Sequence, residues 1–117
     1  MWTALDPCTA ANGCVQVIPK SHKLGLLNLD HPSGFLTPEL AKKHCPPEKV
    51  VLLELKAGEV ALLHNWLLHA SDVNRSDISR RGFSVCYMDG RTRRLKGGEG
   101  FPTVFGPGAL VPQKTAA

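Results

Sequence analysis

The chain has 117 residues, enough for one small domain with a modest core. Its 43% hydrophobic and 21% charged content is that of a folded globular protein, which excludes intrinsic disorder, and no apolar run reaches the ~20 residues that span a bilayer. The formal charge of +4 is mild. Its late cluster, Arg91, Arg93, Arg94 and Lys96, reads as a solvated basic face, because no nucleic-acid-binding motif accompanies it.

In chain order, "MWTALDP" enters strand-like sequence at once, as a chain starting inside a domain would. "WTALDP" and "CVQVIP" are short apolar-rich runs around "CTAANG", whose Asn12-Gly13 pair predicts a hairpin-like connection, with Pro19 closing the second strand. "SHKLGLLNLDHPSGFL" is rich in turn formers. Thr37-Pro38-Glu39-Leu40 predicts a helix with Thr37 as N-cap and Pro38 at the first helical position, stopped after His44 and Cys45 by Pro46-Pro47.

The second half is more regular. "KVVLLEL" reads as a strand, "KAG" as a turn, and "EVALLHNWLL" as a strand running into the loop that carries His69. In "GFSVCYMD", Phe83, Val85 and Tyr87 alternate with Ser84, Cys86 and Met88, which predicts a strand with both faces at least partly buried. The tail from Gly97 has Gly and Pro throughout and reads as loop or disordered. Short strands, one short helix and many turns give an all-β fold, sandwich or barrel, of jelly-roll type or part of one. The expected division is 1–96 for the β domain and 97–117 for the tail.

Cys8, Cys14, Cys45 and Cys86 form no C-x-x-C pair and no zinc spacing. No signal-peptide pattern opens the sequence, so they are expected as free, small apolar residues in a reducing cytoplasm.

The chemistry gathers in "LLHASDVNRSDISRRGF", from Leu67 onward. Alone, His69 reads first as a hydrogen-bonded histidine at a strand end, Ser71 as a loop serine and Arg80 as a surface arginine. Together they suggest more. A neutral imidazole is a common metal ligand, and a guanidinium fork beside a hydroxyl suits a carboxylate. A hairpin across the eleven positions from His69 to Arg80 would return the guanidinium to the imidazole. One imidazole does not hold a metal alone, and a His-x-Asp or His-x-Glu pair would add further ligands. None of His22, His31, His44, His64 or His69 is followed two positions later by Asp or Glu. His64, five residues before His69, is expected on the opposite face of an extended strand, at the core or a strand edge. His22 is expected to order its turn. Asp72 lies too close to His69 to supply the carboxylate, and Asp6, Glu54, Glu59 and Asp89 receive no role. Asn74 is given a turn role.

"WTALDPCTAANGCVQVIPKSHKLG" followed by "GEVALLHNWLLHASDVNRSDISRRGFSVCYMDG" resembles the C-terminal half of the phytanoyl-CoA dioxygenase-type enzymes. These are Fe(II)- and 2-oxoglutarate-dependent oxygenases on a double-stranded β-helix, a cupin-like jelly-roll core. The resemblance implies His69 as the distal histidine ligand of iron and Arg80 as partner of the 2-oxoglutarate C5 carboxylate. Ser71 would assist Arg80, and Trp2 would line the cosubstrate pocket. It implies a small-molecule or acyl-CoA-type substrate. Pro19-Lys20-Ser21-His22 stands where the family has Pro-Gly-Ser-His, and the His-x-Asp element is absent. The isolated chain is therefore expected to be a truncated, inactive or weakly active dioxygenase. The alternative is a non-catalytic half-barrel module that pairs with another chain, or with itself, through an open sheet edge.

Overall fold

Six short strands pair into two antiparallel sheets in the computed structural model, which describes residues 1–109. They are β1 (Trp2–Ala4), β2 (Val15–Val17), β3 (Val51–Leu53), β4 (Val60–Ala61), β5 (His69–Ser71) and β6 (Gly82–Ser84). One sheet has the order β4-β1-β6, the other β3-β2-β5. With the single helix α1 (Pro38–His44), this is the all-β, partial double-stranded β-helix arrangement. The chain forms two compact units, Met1–Cys86 and a second that begins at Tyr87.

The chain changes sheet at four of its five strand-to-strand connections. The Asn12-Gly13 turn is therefore no hairpin: β1 and β2 pair with different partners. Gly13 does take the positive φ the pair promised, at 75°. Turn geometry sets only the local reversal, whereas sheet membership is set by residues 34 or more positions away. The run "EVALLHNWLL" is likewise not one strand. It is β4, then a turn closed by the Leu67 N–H donating to the His64 carbonyl at 2.9 Å, after which His69 opens β5.

The core is small. Ala4, Cys8 and Cys14 are fully buried, with Trp2 and Leu55 packed against them. Val15, Val17 and Ile18 add a second buried group, worth roughly 1.5–3 kcal/mol per side chain removed from water. The cysteines are free thiols, and burial pushes the Cys8 and Cys14 thiols up, as befits inert packing groups; Cys86 is exposed.

Helix α1 begins as its sequence requires. Thr37 Oγ1 accepts from the Leu40 N–H at 3.3 Å and Pro38 occupies the first turn. Glu39 stands at its positive end and Lys42, Lys43 and His44 at its negative end. β6 departs from expectation: all three residues are exposed, Phe83 by 56%, because β6 is an edge strand and its outer face is uncovered. From Gly97 to Ala109 there is neither helix nor strand; the rest of the expected tail, 110–117, lies outside the described residues.

Candidate cosubstrate site

Trp2, His69, Ser71 and Arg80 line one cavity of about 460 Å³. β5 places His69 and Ser71 on one face, two residues apart, opposite Val17 and Val15 of β2. Arg80 arrives differently from the expected hairpin. β5 and β6 belong to different sheets, so the 72–81 segment crosses between them and delivers Arg80 two residues ahead of β6. Trp2 comes from β1, where Gly82 leaves room for its indole: a Cβ on Gly82 would stand 2.6 Å from Trp2 Cζ2.

Neither ring of the two cavity histidines is arbitrary. His69 Nδ1 lies 2.8 Å from the Leu67 carbonyl oxygen, which can only accept, so Nδ1 carries the proton and Nε2 keeps a lone pair. His64 lines the same cavity, contrary to the opposite-face expectation, because the turn at 64–67 breaks the strand on which that expectation rested. Its Nδ1 accepts from the Trp66 N–H at 3.1 Å, which puts the proton of the neutral ring on Nε2. Its ring also lies 4.9 Å from that of His22, between centroids. Of the two, His69 is the one whose Nε2 is left as an acceptor in the neutral ring.

The residues behind the site do the holding. Ser21, 4% exposed, accepts from the Leu68 N–H at 2.8 Å through Oγ, and the Ile18 N–H donates to the Leu68 carbonyl at 3.0 Å. These bonds fix the backbone just before His69. Lys20 is held at φ 66°, the one non-glycine residue with positive φ among the described residues. Arg80 Nε donates to the Asn12 carbonyl at 2.9 Å. Arg81 turns away: Asp6 grips it through Nε at 2.9 Å, Nη2 at 2.8 Å and its backbone N–H at 2.8 Å. That contact holds the Asp6 carboxyl down at about 2. Asn74 has the turn role expected of it, accepting from Ser76 and donating to the Ile78 carbonyl at 2.8 Å. Asp72 is tied to Arg75 at 2.8 Å.

The cavity lining contains no aspartate or glutamate, and no described carboxylate pairs with Arg80. Its walls thus favour an anion. They do not complete a metal centre: among the described residues no three His, Cys, Asp or Glu side chains cluster to hold an ion. His69 is a single prospective ligand.

A two-sheet β fold with a histidine and an unpaired arginine facing one anion-favouring hollow is the class of protein that architecture and site define. The phytanoyl-CoA dioxygenase (PhyH) family model matches residues 1–82, and the chain belongs to that family. It is 35% identical over 99 residues to "Phytanoyl-CoA dioxygenase 1" of Oryza sativa subsp. japonica, covering 76% of this chain and 32% of the relative. Identity is 35% over 86 residues to "Phytanoyl-CoA dioxygenase" of Arabidopsis thaliana, with coverages of 73% and 30%. It is 30% over 94 residues to "Phytanoyl-CoA dioxygenase domain-containing protein 1" of Mus musculus, with coverages of 76% and 32%. The chain spans about a third of the length of these relatives. No solved structure matches.

Proposed function

We propose that the hollow between His69 and Arg80 is the cosubstrate end of an Fe(II)/2-oxoglutarate-dependent dioxygenase of the phytanoyl-CoA dioxygenase type. One observation carries the reading: an imidazole with its Nε2 lone pair free and a guanidinium with no carboxylate partner line the same cavity. In this reading the two Nη groups of Arg80 bind the distal carboxylate of 2-oxoglutarate. Ser71 adds a hydroxyl to that carboxylate, and the Trp2 indole forms an apolar wall beside the pair. His69 would supply one iron ligand. Among the described residues no three His, Cys, Asp or Glu side chains cluster to complete an iron site, so in this reading the other ligands belong to the rest of the whole enzyme. The substrate of the whole enzyme is read as a small molecule or acyl-CoA thioester, in keeping with the names of the relatives.

Calorimetric titration of the chain with 2-oxoglutarate tests the reading. Arg80→Gln keeps a hydrogen-bonding side chain but loses the charge, and it is expected to weaken binding about 10- to 100-fold, the range for a hydrogen bond to a charged group. Equal affinity in wild type and Arg80→Gln would remove the carboxylate role.

A further inference from the structure

We infer that Asn12 is a positioning residue for Arg80, an inference that rests on reading Arg80 as the carboxylate partner. Asn12 is 2% exposed, and it and Ser21 are the two buried polar residues among those described. Its side chain shapes its own turn through both ends of the amide. Oδ1 accepts from the Thr9 N–H at 2.8 Å and Nδ2 donates to the Pro7 carbonyl at 2.8 Å. That leaves its backbone carbonyl aimed outward, and there it accepts from Arg80 Nε at 2.9 Å, across 68 residues.

The neighbouring residues seat the arginine segment on the same turn. Gly13 lies against the backbone of the residues that follow β5: a Cβ there would stand 2.3 Å from the Asp72 carbonyl oxygen and 2.9 Å from that of Val73. The Arg75 N–H donates to the Ala11 carbonyl at 3.4 Å. The 9–13 turn therefore holds the 72–80 segment at its start and at its end.

The kind of acceptor is what makes this a device for binding. Arg81 is gripped by a carboxylate, which cancels its charge. Arg80, one position earlier, is gripped through Nε by a neutral carbonyl, which fixes the guanidinium plane and leaves its charge for a ligand. The two Nη groups remain, in the fork geometry that meets a carboxylate. An arginine whose rotamer is already set loses less conformational freedom when the ligand arrives.

The test uses the full chain and two readouts. The first is the Arg80 Nε–H resonance in ¹⁵N NMR, assigned by its loss in Arg80→Lys, with its exchange rate against water. The second is 2-oxoglutarate affinity, measured well below the melting temperature of each variant. In Asn12→Ala the Nε–H is expected to exchange about tenfold faster and affinity to fall about five- to tenfold, the equivalent of one lost hydrogen bond. Asn12→Ser keeps an acceptor for the Thr9 N–H and is expected to fall between; it also serves if Asn12→Ala does not fold. A folded variant with wild-type exchange, or with wild-type affinity, overturns the inference. Wild-type protein that binds no 2-oxoglutarate would end the proposed function, while the exchange measurement still decides whether Asn12 holds Arg80.

Discussion

Asp6 and Asn12 sit six residues apart and each holds an arginine, by different chemistry and with different consequences for pH. The Asp6 carboxyl falls from its ordinary 3.8 to about 2, first through the side-chain hydrogen bonds from Arg81 and then through the Arg81 backbone N–H. A carboxylate depressed in the folded state gives stability that is complete above its ordinary value and is lost as pH falls through the folded one. The window is therefore about pH 4 down to about 2. Asp89 also lies at about 2, but its partner Arg91 is two residues away. Such a local pair forms in the unfolded chain too, so it contributes little to the difference. The Asp6–Arg81 contact joins residues 75 apart and needs the fold. Denaturant midpoints recorded from pH 6 to pH 2 should fall less steeply below pH 4 in Asp6→Asn than in wild type, with the variant already weaker at pH 6. Parallel curves would show that the contact persists unfolded. At this scale the sequence singled out side chains that share a cavity and hid their supports. His69, Ser71, Arg80 and Trp2 line one hollow. Asn12 acts through its backbone carbonyl, Ser21 through a bond to Leu68, and Asp6 through an arginine 75 positions on. A side-chain reading of one sequence has no signal for any of these.

Among the elements, what is local was legible and what is long-range was not. Thr37-Pro38 starts α1 and Pro46-Pro47 follows it, because capping and proline sterics act within four residues. The strands were found, but the hairpin expected at Asn12-Gly13 became a crossing between sheets, and the long strand expected over 59–68 became β4 and a turn. Strand partners are chosen by packing, and β1 shows how finely. Trp2 pairs with Ser84 and Ala61, and its indole lies across Gly82 of β6. An alanine at 82 would put Cβ 2.6 Å from Cζ2 and 2.9 Å from Nε1 of that ring, closer than atoms can pack, so the indole must swing out of the cavity wall. In a Trp66→Phe background, which leaves Trp2 as the single tryptophan, Gly82→Ala should shift emission to the red. It should also cost about 1–3 kcal/mol in urea unfolding, the usual range for an overpacked site. Unchanged emission would mean that β6 yields instead of Trp2.

For the whole molecule, the cavity lining favours an anion, and among the described residues no cluster of metal-ligating side chains stands beside it. Each sheet ends at strands with open edges among the described residues, β4 and β6 in one and β3 and β5 in the other. The basic run beyond them is largely occupied at home. Arg91 is bound by Asp89, Arg93 donates to the Gly90 and Thr92 carbonyls, and Arg94 lies 5.2 Å from the centre of the Phe101 ring. Neither feature adds a metal ligand. One imidazole holds a first-row divalent ion weakly, since structural and catalytic centres use three or more protein ligands. Purified chain incubated with iron(II), ascorbate and 2-oxoglutarate should therefore release no succinate above a protein-free control. Cobalt(II), a spectroscopic stand-in for iron, should give no d–d band characteristic of an ordered site at equimolar protein. The fragment reading fails if succinate appears and vanishes in His69→Ala. That result would require a second and a third ligand from side chains now tied up elsewhere, with His64 turning its Nε2 to the metal as the first candidate to examine.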